Sequence, residues 1–164
     1  MRCCFFVYLS HPSQGTSEHT TGRRCAMDLN FVDADTQDFD PRTYVRILVA
    51  IAKADKENGP PEFDYVHRQA DRLGLESEHF FRNTDKSFLL ERQKVSRLTA
   101  LVILKDAIAL ASLDGNFSLP ERMKIYTYAE KLDISRKDVD DLEKLMGQYR
   151  QLDQRWQQLV KGSY

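Results

Sequence analysis

Four oxygen-bearing side chains, Asp114, Asn116, Ser118 and Glu121, fall within the stretch LDGNFSLPE at residues 113–121. Oxygens of this kind hold hard divalent cations such as calcium, magnesium or manganese, and calcium takes six or more of them. One bend cannot fill such a shell without water, so a site here is expected to be weak, on the order of 10⁻⁴–10⁻³ M. It is not an EF-hand. With Asp114 first, Asn116 and Ser118 take the third and fifth places, but Leu119 stands where Gly is required and Ile125 where Glu is required. Asp55 and Glu62 form a second, weaker candidate, because Lys56 beside Asp55 raises the electrostatic cost of a cation.

The same residues have a purely structural use. Ser118-Leu-Pro-Glu121 has the spacing of a capping box, in which the Ser oxygen accepts a helix N–H and the Glu reaches back to the Ser N–H. Pro120 is tolerated in a first turn. Asp114-Gly115 suits a helix end and turn, Gly taking the left-handed conformation, and Phe117 is expected to plug back into the core. Gly59-Pro-Pro-Glu62 repeats the layout with a weaker cap, and Ser135-Arg-Lys-Asp138 is a related start. Capping and cation binding are compatible, since Asp114 can serve both.

No other set of residues points to a reaction. His67 and His79 are isolated, no Ser/His/Asp or Cys/His order emerges, and no Gly-rich phosphate loop is present. A non-enzymatic protein is the expectation. Asp138, Asp140, Asp141 and Glu143 make an acidic helix start, which the helix dipole favours. Tyr126, Tyr128, Tyr149 and Trp156 sit at helical spacing and read as core side chains.

The elements that must carry these residues are helices. Asp40-Pro41 reads as an N-cap with Pro in the first turn. Tyr44, Ile47, Leu48 and Ile51 then line one helix face, and ENGPP at 57–61 ends it. Phe63, Val66, Ala70 and Leu73 line a second helix that Gly74 stops. A short helix is expected around 77–82, then a connector containing NTDKSF. Residues 95–112 are the most apolar stretch and predict a central helix packed on several sides. A helix over about 119–132 follows, and a long last helix starts after Ser135 and reaches Val160. Its apolar positions are Val139, Leu142, Leu145, Met146, Tyr149, Leu152, Trp156 and Leu159. No strand alternation appears, so the fold class is all-α, a compact helical bundle.

An internal repeat runs at an offset of 59 residues. It pairs Ala50 with Ala109, Ala52 with Ala111, Asp55 with Asp114, Pro61 with Pro120, Glu62 with Glu121, Val66 with Ile125, Ala70 with Ala129 and Leu73 with Leu132. Two helix-bend-helix units plus the long C-terminal helix are expected, packed as one domain because each half is too short to bury a core alone.

These residues resemble the TerB-like family, named for a bacterial tellurite-resistance protein. The pattern is an apolar helix ending in Ala-x-Ala-Asp-Gly, a later Glu, and a helix closing in Leu-Gly-Leu. The first unit has Ala52-Lys53-Ala54-Asp55, Glu62 and Leu73-Gly74-Leu75; the second has Ala111-Ser112-Leu113-Asp114-Gly115, Glu121 and Leu132-Asp133-Ile134. The match covers about residues 43–160. The first unit departs at Lys56, where Gly is expected, and at Asn58, opposite Phe117. The resemblance implies a non-enzymatic helical module linked to tellurite resistance and stress responses, with divalent-cation binding at Asp55, Glu62, Asp114 and Glu121. The alternative is a protein-interaction module whose last helix docks a protein partner or a second copy, with Trp156 among the anchors.

Composition excludes other classes. The chain has 164 residues and a formal net charge of −1, so no strongly basic surface suggests nucleic acid. No apolar run approaches the roughly 20 residues that span a bilayer, so membrane insertion is not expected. Cys3, Cys4 and Cys25 are the only cysteines, which argues against a disulfide framework and for the cytoplasm. Residues 1–40 are expected to form a disordered leader before a domain over 41–164, and the composition shift at Met27 suggests that native translation starts there.

Overall fold

The computed structural model describes residues 38–54, 59–112 and 117–162, together with the backbone alone at Leu90. The expectations for the leader up to residue 37, the start at Met27, and Asp55, Asp114 and Asn116 lie outside the described residues. Within them the chain forms six α-helices and no strand: α1 Pro41–Ala54, α2 Pro60–Arg72, α3 Ser77–Asn83, α4 Arg97–Ala111, α5 Leu119–Lys131 and α6 Arg136–Lys161, with a 3-10 turn at Lys86–Leu90. The all-α expectation holds. No helix among the described residues is long and apolar enough to cross a membrane.

The first helix starts where its cap allows. Asp40 Oδ1 accepts the N–H groups of Arg42 and Thr43 at 3.1 Å each, satisfying two of the donors a helix start leaves open. Burial raises the Asp40 pKa, but the Thr43 and Arg42 hydrogen bonds outweigh it and hold the carboxyl below its ordinary value. Asp38 and Phe39 belong to the folded unit as well. Ser96 and Thr99 hydroxyls donate to Asp38 O, and Phe39 packs against the core.

The core sits between α1 and α4. α1 lies against α2, α3, α4 and the 3-10 turn; α4 lies against α1, α5 and α6. Tyr44, Ile47, Leu48 and Ile51 are buried as their spacing predicts, but so are Val45, Val49, Ala50 and Ala52, so α1 is covered on nearly all sides. In α4 every residue from Val102 to Ile108 is buried. Each fully buried Ile, Leu or Val contributes roughly 1.5–3 kcal/mol relative to exposure. α4 begins two residues later than the apolar run suggested, because Ser96 caps it by accepting the Thr99 N–H at 3.1 Å.

α2 and α5 end alike. Leu75 N donates to Ala70 O and Ile134 N to Ala129 O, both at 2.9 Å. This is the longer hydrogen bond of a Schellman closure, and it requires a left-handed residue just before it. Gly74 takes that post with φ 65° and Asp133 with φ 58°. Phe117 packs against the core ahead of α5 as expected, partly buried.

Candidate functional site

The bend ahead of α5 is built as a cap. Ser118 N donates to Glu121 Oε2 at 2.6 Å, a short contact to a charged acceptor. Glu121 N donates back to Ser118 Oγ at 3.4 Å, long for a backbone donor. The glutamate half of the box is therefore the stronger half. The bend ahead of α2 keeps only that half, with Gly59 N donating to Glu62 Oε2 at 2.7 Å. Of the expected ligands, Ser118 and Glu121 are together and bonded to each other, and Glu62 holds the matching post at the other bend. One oxygen of each glutamate is already used by its own helix start. Among the described residues no group of three or more His, Cys, Asp or Glu is placed to hold a metal ion.

The acidic start of α6 is spent on neighbours, not left to the helix dipole alone. Arg97 at the start of α4 binds Asp138 at 2.7 Å. Tyr126 of α5 donates to Asp140 at 2.5 Å, Arg122 pairs with Glu143, and Lys144 pairs with Asp141 at 3.2 Å. The Arg97 hydrogen bond first, then that of the Ser135 hydroxyl, pulls the Asp138 carboxyl down to about 2. The Asp140 hydrogen bond pushes the Tyr126 hydroxyl up.

A polar cluster that the sequence reading did not single out lies in the core. Asp106 is fully buried on α4. Its carboxylate accepts the Tyr44 hydroxyl at 2.7 Å and the Tyr65 hydroxyl, and it pairs with Lys105 Nζ at 2.8 Å. Burial first, then the Asp106 charge, drives the Tyr44 pKa far up, so Tyr44 stays a donor. Tyr44, Tyr65 and Lys105 are buried too. The cluster therefore ties α1, α2 and α4 together without offering a reactive group to solvent. The signal was a Lys-Asp pair inside the most apolar helix, where an unpaired charge would be costly.

The last helix departs from its expected packing. Val139 and Met146 are buried, and Leu142 and Tyr149 pack partly against the core. Leu145, Leu152, Trp156, Leu159 and Val160 are 46%, 62%, 58%, 54% and 64% exposed. Trp156 is thus not a core residue of this chain, unlike Tyr126, Tyr128 and Tyr149, which pack against the core. The apolar periodicity outlasts the bundle that covers it. His67 and His79 are local packing residues: His67 stacks on Phe81 at 4.5 Å and contacts Ser77 Oγ at 2.7 Å, and His79 lies against Phe80.

The chain matches no protein-family model, no curated protein and no solved structure.

Proposed function

We propose that this chain is a non-enzymatic, cytoplasmic helical interaction module that makes its contacts through the part of α6 from Leu145 onward. One observation carries the reading. Leu145, Leu152, Trp156, Leu159 and Val160 leave a contiguous apolar stripe in solvent on a helix whose other apolar face is packed. Contiguous exposed apolar surface of this kind marks a contact site. Trp156 is the only tryptophan, so its fluorescence reports on the stripe directly. Deleting residues 150–164 is expected to leave the unfolding temperature within about 3 °C and to abolish association. Trp156 emission is expected to shift to the red when the full chain is diluted. A large fall in unfolding temperature, with emission blue at every dilution, would sink the reading.

A second reading keeps the TerB-like resemblance and treats α1–α2 and α4–α5 as duplicated units of a stress-response domain. It is supported by the paired helix closures at Gly74 and Asp133 and the paired glutamates at Glu62 and Glu121, each separated by 59 residues. It adds one weak divalent-cation site at Asp114, Asn116, Ser118 and Glu121. Calorimetry with calcium, magnesium and manganese at millimolar concentration tests that site. Binding lost in Asp114→Asn and kept in Asp55→Asn supports it, and no heat at all removes it.

A further inference from the structure

We draw no further inference here: the strongest candidate, the exposed apolar stripe of α6 from Leu145 to Val160, belongs to the contact surface already described, and nothing in the structure shows what covers it.

Discussion

Asp133 occupies the same left-handed position after α5 that Gly74 occupies after α2, at φ 58° against 65°. The two positions are 59 residues apart, and the hydrogen bond that closes each helix is 2.9 Å in both. The geometry is shared, but only one of the two residues lacks a Cβ. Asp tolerates this region better than most side chains and still does so at a cost.

Asp133→Gly is therefore expected to stabilise the protein by about 1 kcal/mol, because the strain is removed and the hydrogen bonds stay. Gly74→Asp should lose a similar amount. Denaturant unfolding of both variants checks this, and equal and opposite shifts are the expected result.

The capping box ahead of α5 is expected to be lopsided. Ser118→Ala removes the 3.4 Å bond and should cost about 0.5 kcal/mol, the low end for a cap. Glu121→Ala removes the 2.6 Å bond and should cost about 1 kcal/mol. The double variant should cost less than the sum, because the two bonds form one motif. Strict additivity in denaturant melts would show that they act independently.

Removing the buried carboxylate should be far more damaging. Asp106→Ala removes the buried carboxylate that accepts from the Tyr44 and Tyr65 hydroxyls and pairs with Lys105, and about 3–5 kcal/mol is expected to be lost. Tyr44→Phe removes one donor while Tyr65 and Lys105 still bind the carboxylate, so about 1–2 kcal/mol is expected. Chemical denaturation measures both, and the ordering of the two losses is the test.

Asp138 makes part of the stability depend on acid. Its pKa falls from 3.8 to about 2 on folding, chiefly through the hydrogen bond from Arg97. A depressed carboxylate contributes stability that is present above its unfolded pKa and lost as pH falls through its folded pKa. The contribution is thus complete above about pH 4 and gone below about pH 2. The unfolding temperatures of the parent and Asp138→Asn are expected to differ at neutral pH and to converge over that window. A difference that stays constant down to pH 2 would assign the effect to another group.

Much of the architecture is local and was legible for that reason. A cap joins residues three apart, as at Ser118 and Glu121, and a helix face joins residues three or four apart, as at Tyr44, Ile47, Leu48 and Ile51. Residue types at those short spacings determine helix starts, stops and apolar faces before any packing occurs. The Asp106 cluster is different, because Tyr44 and Tyr65 lie 62 and 41 residues away along the chain. Nothing in the spacing of those residues says that they meet. The partners of the acids at the start of α6 are equally remote, as Arg97 and Asp138 show. In α6 the apolar periodicity runs unbroken from Val139 to Leu159, and spacing alone does not separate the turns that are core from those left to a partner. Periodicity determines that a helix has an apolar face; only the placement of the other helices decides how much of that face is covered. α6 outruns the bundle, so Met146 is buried and Trp156 is not.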